Sequence, residues 1–200
     1  MANSASYMQG RKSFLRGAGR PQAILFSDNP GTFQGGYYYP TGDEGQDFII
    51  LSDHNRSEIS ISQRRIENRQ RMVNGGMRSY WIADKMEISV SWNRLPSRPF
   101  DSAVTFDEEG KIEQTGYVSY TADGAAGGMD MLSWYESHPG PFYVFLSYDK
   151  YRNNDVANYD RLYTYNQILK AYFSSFSHSV EKRSGANFDF WNVSFTLEEV

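Results

Sequence analysis

The sequence predicts a mainly β fold: an antiparallel β-sandwich or partly closed barrel with one packed α-helix and a long projecting β-hairpin. Two observations predict it. Apolar and polar residues alternate over residues 77–92 and again over residues 188–200, which is the pattern of half-buried strands. Clusters of Asn, Gly and Pro separate the apolar segments from one another. Only residues 129–137 have the spacing of an amphipathic helix.

The length and composition of the chain indicate its domain organisation and exclude some classes of site. Two hundred residues fit one domain, which we expect over 23–200, with long loops at 27–46 and 93–128. Residues 1–22 have no hydrophobic periodicity and are expected to form an extended N-terminal arm. The absence of cysteine excludes disulfides and thiolate metal sites. The net charge of −4 gives no general attraction for a polyanion.

Two further features of the sequence concern its location. No apolar run approaches the roughly 20 residues that a membrane-spanning helix needs, so no membrane insertion is expected. The N-terminus lacks the apolar core of a signal peptide, because Arg11, Lys12 and Arg16 interrupt it. We therefore expect the protein to be made in a cytoplasm.

The first elements are short. Residues 23–26 and 47–51 are predicted strands, since each is an apolar run that is bounded by polar or turn-forming residues. Between them, residues 33–40 are predicted to form a loop with exposed aromatic side chains, including Tyr37, Tyr38 and Tyr39.

Two long β arms, residues 58–73 and 77–92, are predicted to form the projecting hairpin around Asn74, Gly75 and Gly76, which supply the positive φ of a tight turn. Strands of this length extend beyond their own sheet. A projecting polar hairpin is either solvated or buried against another subunit. On the second arm, Asp84 interrupts an apolar face and indicates a bulge or a partner there. That apolar face comprises Tyr80, Ile82, Met86, Ile88, Val90 and Trp92.

The remaining elements follow in order. Pro96 and Pro99 are predicted to end the strand pattern after Trp92. Residues 129–137 form the predicted helix, with Asp130 near its start and His138 at its C-terminal end. Residues 142–146 are predicted to form a strand that is buried on both faces, and a polar loop follows over 148–160. A second hairpin pairs residues 165–180 with 188–200. Its core-facing residues are predicted to be Trp191, Val193, Phe195 and Leu197.

No catalytic or cofactor motif is found in the sequence. The three histidines are scattered, without the spacing of a zinc site. There is no nucleophile elbow, phosphate loop or dinucleotide fingerprint. The consecutive carboxylates Asp107, Glu108 and Glu109 cannot all face one cleft. We therefore expect a protein that is not an enzyme and has no cofactor and no metal site.

The arginine-rich arm has two interpretations. Six arginines lie from Arg56 to Arg78, which fits either nucleic-acid recognition or a subunit interface. The acidic net charge favours the interface, with residues 107–109 and 198–199 of a neighbouring copy as candidate partners. The predicted interface residues are Arg64, Arg65, Arg69, Arg71, Arg78 and Glu67.

Four segments, residues 65–71, 77–85, 89–98 and 190–200, resemble tail proteins of bacteriophages. The plan of two sheets, one helix and a long hairpin is similar to the fold of tail-tube and distal tail proteins. This resemblance implies a virion structural subunit, assembled in the host cytoplasm, that forms a ring, usually hexameric, around a DNA channel. It also implies contacts with other tail proteins above and below the ring, and large loops favour a minor or distal position such as the baseplate.

Two alternatives remain open. A tail-associated carbohydrate- or receptor-binding module would use Tyr37, Tyr38 and Tyr39, whereas a glycan hydrolase has the weakest support.

A ring around DNA constrains its inner wall. DNA must pass transiently without specific binding, and contacts between phosphates and basic side chains release counterions and would retain it. The non-core faces of the long strands are largely neutral or acidic. The residues predicted to face the lumen are Glu87, Ser89, Ser91, Asn192, Ser194 and Thr196. We expect the purified protein to bind duplex DNA weakly.

Overall fold

The structure, a computed structural model, describes residues 22–106, 112–148, 165–183 and 188–200. The predicted N-terminal arm up to residue 21, the acidic turn at 107–109 and the polar loop from residue 149 lie outside the described residues. In chain order the elements are β1 (Ile24–Ser27), β2 (Thr32–Gln34), β3 (Tyr37–Tyr39), β4 (Phe48–Ile50), β5 (Ser60–Arg71), β6 (Met77–Pro96), β7 (Phe100–Phe106), β8 (Ile112–Ser119), α1 (Gly128–Ser137), β9 (Phe142–Leu146), β10 (Gln167–Arg183) and β11 (Asp189–Glu199).

Seven strands form the main sheet, in the order β4-β1-β9-β10-β11-β6-β5, and every neighbouring pair is antiparallel. The pairs β2–β3 and β7–β8 form two separate two-stranded sheets. The predicted mainly β fold with one helix and a long hairpin is therefore confirmed. The main sheet is open and does not close into a barrel.

The helix α1 covers one face of the main sheet. Met131 and Trp134 are buried there, and the Trp134 ring lies 5.9 Å from the Phe142 ring on β9. Asp130 accepts a hydrogen bond of 2.9 Å from the backbone N–H of Gly127, which satisfies a donor at the helix start. The predicted helix and the predicted role of Asp130 are confirmed. Within the described residues, no helix is both long and apolar enough to cross a membrane.

Strand β11 has the predicted register. Its buried residues are Trp191, Val193, Phe195 and Leu197, while the residues between them are only partly buried. The Phe195 ring lies 5.4 Å from the rings of both Phe26 and Trp92, so β11 contributes to the same core cluster as β1 and β6. The strand β9 is also buried on both faces, as its apolar sequence predicts.

The prediction that prolines end the pattern after Trp92 is wrong. Strand β6 continues to Pro96, which pairs with Phe190 of β11. A register irregularity between Trp191 and Val193 accommodates the extra residues, with Arg94 at φ 54° and its N–H bonded to the Asn192 side chain at 3.0 Å. Proline is tolerated at the last position of the strand, because the ladder of backbone hydrogen bonds that its missing N–H would interrupt ends there.

The two predicted loops hold more strand than expected. The segment 27–46 contains β2 and β3, and the segment 93–128 contains the end of β6 together with β7 and β8. The β2–β3 turn contains Gly35 and Gly36, both at positive φ, which is the backbone conformation of a tight hairpin turn.

Candidate functional site

The long hairpin extends past the sheet at its edge. Strand β11 pairs with β6 only as far as Glu87, and the residues of β6 before Glu87 pair with β5 alone. We call residues 64–85 the projecting hairpin. Its turn is closed by a hydrogen bond of 2.8 Å from the N–H of Met72 to the carbonyl of Gly76, with Gly75 at φ 81°. The predicted turn is confirmed.

A β-bulge at Ile82 changes which side chains share a face. Ile66 pairs with Ala83 and Glu67 pairs with Trp81, so Ile82 has no residue opposite it. The alternation is therefore displaced by one residue between Ala83 and the turn.

The predicted apolar face of β6 is thus correct only in part. Met86, Ile88, Val90 and Trp92 are buried as predicted, whereas Tyr80 and Ile82 are 52% and 64% exposed. The prediction for Tyr80 and Ile82 is wrong for two reasons. The bulge moves Tyr80 to the opposite face of the hairpin. In addition, Tyr80 and Ile82 lie in the part of β6 that extends beyond its pairing with β11.

We call the side of the hairpin that carries Arg65 and Trp81 its arginine face. The Arg65 Nε lies 3.0 Å from Asp84 Oδ1, across the strand pair. Hydrogen bonds from Arg65 and from Trp81 lower the pKa of Asp84, and the bond to Asp84 raises the pKa of Arg65. Asp84 thus has the partner that the sequence predicted, and the bulge lies two residues away from it.

A second carboxylate on this face is held in the same way. Ser79 Oγ donates a hydrogen bond of 2.6 Å to Glu67, which also forms an ion pair with Arg69. The bond from Ser79 and then the bond from Arg69 lower the pKa of Glu67. Two of the predicted interface arginines therefore already have carboxylate partners within the chain.

The remaining predicted interface residues are also on the hairpin. Arg78 donates a hydrogen bond of 3.3 Å to the Tyr80 hydroxyl, and Arg71 pairs with Met77 next to the turn. Arg64 lies near Glu198 and contributes to the lowered pKa of that carboxyl, after the hydrogen bonds from Ser174 and Tyr172. All five arginines are exposed, while Glu67 is half-buried.

The acidic C-terminal residues lie against the base of the hairpin of the same chain. Glu199 accepts a hydrogen bond of 2.8 Å from the N–H of Met86, and Lys85 bonds to the carbonyl of Val200. Glu198 accepts bonds of 2.8 and 2.9 Å from Ser174 and Tyr172. Glu198 and Glu199, predicted as partners on a neighbouring copy, thus have partners within their own chain.

Large apolar side chains accompany the arginines, and the sequence reasoning missed them as an exposed set. Each is at least 40% exposed, and contiguous exposed apolar residues typically mark an interaction surface. The sequence signal for Tyr80 and Ile82 was the alternation of apolar and polar residues, but both residues were predicted to lie on the core-facing side of β6. The set comprises Ile66, Met72, Val73, Met77, Tyr80, Trp81 and Ile82.

The six predicted lumen residues come together on the face of the sheet opposite α1. Across β6 and β11, Ser91 pairs with Ser194, Ser89 with Thr196, and Glu87 with Glu198. The hydroxyls bond to one another, with 3.1 Å between Ser89 and Thr196. Asn192 extends the same face of β11 and bonds to the N–H of Arg94. The predicted residues thus form one continuous polar face.

Further serines on β10 and before β5 widen this face. Ser177 Oγ lies 2.8 Å from Ser194 Oγ, and Ser57 Oγ lies 2.9 Å from Ser91 Oγ. We call this surface the hydroxyl face. Three pairs of its hydroxyls bond to one another, which uses part of the hydrogen-bonding capacity of this face. The hydroxyl face comprises Ser57, Ser60, Ser89, Ser91, Ser175, Ser177, Ser194 and Thr196.

The three consecutive tyrosines form strand β3 and are half-buried, so the prediction of an exposed aromatic loop is wrong for these three residues. The backbone of Tyr38 exchanges hydrogen bonds of 2.8 and 2.9 Å with Tyr165, far along the chain. The Tyr38 ring lies 4.8 Å from that of Phe33, which is 64% exposed. This long-range pairing has no local signal in the sequence.

His138 ends the helix, as its position in the sequence predicts. Its Nδ1 lies 2.8 Å from the carbonyl of Trp134 and its Nε2 lies 2.7 Å from Asp28, while its ring stacks on Trp134. Among the residues that the structure describes, no group of three or more His, Asp or Glu side chains is placed to hold a metal ion. No protein-family model matches the chain, and a search of curated proteins finds no significant match.

Proposed function

We propose that the chain is a structural subunit of a bacteriophage tail, which assembles into a ring around the DNA channel near the tail tube or its distal end. The observation that carries this proposal is the projecting hairpin, which exposes Tyr80, Trp81 and Ile82 beyond the edge of the sheet. The resemblance of four sequence segments to tail proteins supplies the kind of assembly.

A hairpin of this kind favours association. Strand β5 is the edge of the main sheet, and an exposed edge offers unpaired backbone groups to another chain. Aromatic and arginine side chains together are typical of the residues that dominate binding energy at interfaces. When such a patch meets a different surface on the next copy, the contact repeats and closes into a ring if the rotation allows.

The hydroxyl face supports a channel wall. It presents Ser and Thr hydroxyls that bond to one another, with Glu87 and Glu198 in the adjoining row. The basic residues nearest to this wall are Arg64, which lies near Glu198, and Lys85, which bonds to the carbonyl of Val200. The rows of serine and threonine release no counterions from DNA, so the duplex gains little by binding to them. Such a surface suits passage of DNA better than retention.

The binding-module alternative has less support from the aromatic residues. The three tyrosines that would carry it are half-buried in β3, and Tyr38 is tied to Tyr165. Aromatic recognition of a sugar needs an accessible ring face, which in this region only Phe33 offers to a large extent.

The test is to image the purified protein by negative-stain electron microscopy and to locate it in tail particles with a gold-labelled antibody. We expect ring-shaped averages with a central hole, and label on the tail. A protein that stays monomeric at all concentrations and binds an isolated cell-surface glycan would overturn the proposal in favour of the binding module.

A further inference from the structure

The projecting hairpin is exposed on both of its faces, and each face carries a large aromatic ring. Trp81 lies opposite Glu67 on the arginine face, whereas Tyr80 lies opposite Asn68 on the other face. The side chains of Trp81 and Tyr80 are 64% and 52% exposed. One flat partner surface would cover only one of these two rings.

We infer that the projecting hairpin is inserted between two other copies of the chain, so that Trp81 is buried against one copy and Tyr80 against the other. This inference rests on the proposed function and goes further, because a ring could equally form with the hairpin docked on one face. A two-sided contact fixes each subunit through two neighbours at once.

Charge complementarity identifies the occupant as the chain itself. Residues 64–85 contain six basic and two acidic residues, whereas the whole chain contains 20 basic and 24 acidic residues. The hairpin is therefore a basic extension of a protein that is otherwise acidic. Opposite potentials on two surfaces steer their association and fix its register. The acidic body of a neighbouring copy is a complementary partner for both faces.

A lipid bilayer fits the hairpin less well. The apolar residues next to the turn include Met72, Val73 and Met77, and the aromatic rings lie further from the turn. Arg71 and Arg78 stand between these two groups. Insertion of the turn deep enough to bring the aromatic rings into the interface would carry both arginines into the hydrocarbon, which is unfavourable.

Nucleic acid also fits less well. Arg65 and Arg69, on the arginine face with Trp81, are ion-paired with Asp84 and Glu67. A carboxylate beside each guanidinium repels phosphate and reduces the counterion release that drives such binding. A protein surface that offers apolar contact to the exposed Trp81 suits this face better.

The test compares Trp81→Ser, Tyr80→Ser and the double variant by sedimentation velocity. The matched control is Phe33→Ser, because Phe33 is as exposed as Trp81 but lies on β2. We expect each hairpin variant to raise the Kd of self-association at least about tenfold, the double variant to raise it more than either, and the control to leave it unchanged. All four variants should melt within a few degrees of the wild type.

Photo-crosslinking gives an independent readout. A benzophenone side chain at position 80 or 81 should join the hairpin to other copies at two different peptides. Association that depends on only one ring, or crosslinks from only one position, would overturn the two-sided contact and leave the proposed ring intact. A wild-type protein that does not self-associate would overturn both. Binding of wild type to anionic vesicles or single-stranded DNA that competes with self-association would replace the chain itself as the occupant.

Discussion

A buried valine on β11 gives the most quantitative test of the register on which the core depends. Val193 is 1% exposed and pairs with Trp92, whereas the neighbouring Asn192 points to the opposite face and is only half-buried. Val193→Ala removes two carbon groups from the core. At about 0.8 kcal/mol for each, with the cost of the cavity added, the loss in free energy of unfolding is about 2–3 kcal/mol.

Val193→Asp has a larger effect. It loses the burial of the valine, about 1.5–3 kcal/mol, and places an unpaired carboxylate in the core at a cost of several kcal/mol more. The total approaches the 5–15 kcal/mol that stabilises a typical domain, so we expect insoluble protein. Asn192→Asp keeps the oxygen that accepts the Arg94 N–H and should change stability by less than about 0.5 kcal/mol.

Urea denaturation of Val193→Ala and Asn192→Asp, with the solubility of Val193→Asp, measures these effects. If Val193→Asp stays soluble and unfolds at the same urea concentration as the wild type, the assigned register is wrong. The same conclusion follows if Asn192→Asp lowers the free energy of unfolding more than Val193→Ala does.

Three further outcomes are expected. Trp92→Phe removes a buried hydrogen bond of 2.7 Å to the carbonyl of Ser52, whereas the Trp191 Nε1 has no partner among the described residues. Urea denaturation should therefore show that Trp92→Phe lowers the free energy of unfolding by about 1–3 kcal/mol more than Trp191→Phe does. Because the pKa values of Glu67 and Asp84 are lowered, their stabilising effect is complete above the ordinary carboxyl range and is lost as the pH falls below about 4. Hydrogen-exchange protection of the hairpin amides should fall there while that of β9, a buried strand without a carboxylate, is unchanged; equal behaviour of the two regions would contradict the assigned ion pairs. In a gel shift at about physiological salt, the purified protein should bind duplex DNA weakly, and tight binding with a steep salt dependence would reject the channel-wall interpretation.

The sequence predicts an element well where one face of a strand meets the core. Trp191, Val193, Phe195 and Leu197 alternate with polar residues and are buried, since period-two burial leaves a direct pattern in the sequence. The helix is equally predictable from the sequence, because residue types that favour helix ends lie near its start, at Asp130, and at its end, at His138.

The errors arise where long-range contacts or a bulge decide the structure. Tyr80 and Ile82 continue the apolar alternation of β6 in the sequence. They are nevertheless exposed, because a bulge lies at Ile82 and because β11 pairs with β6 only as far as Glu87. Tyr38 pairs with Phe33 of β2 in a local hairpin, and its backbone also pairs with that of Tyr165, more than a hundred residues away. Neither a bulge position nor a distant backbone pair is encoded in local composition.

The candidate site was predictable in its charges but not in their partners. The arginines are visible in the sequence, whereas the pairing of Arg65 with Asp84 depends on the register of the hairpin. The hydroxyl face follows from alternation on β6 and β11, but its extension by Ser177 requires the order of strands in the sheet.

The central claim is that the projecting hairpin joins copies of the chain into a closed assembly. Light scattering on the purified protein, after size-exclusion chromatography, measures its mass over a range of concentrations. We predict one discrete species with a mass that is a whole-number multiple of the 23.0 kDa chain, six copies by resemblance to tail rings, and dissociation to the monomer in the Tyr80→Ser, Trp81→Ser double variant. A wild-type protein that remains a 23.0 kDa monomer at every concentration would contradict the claim.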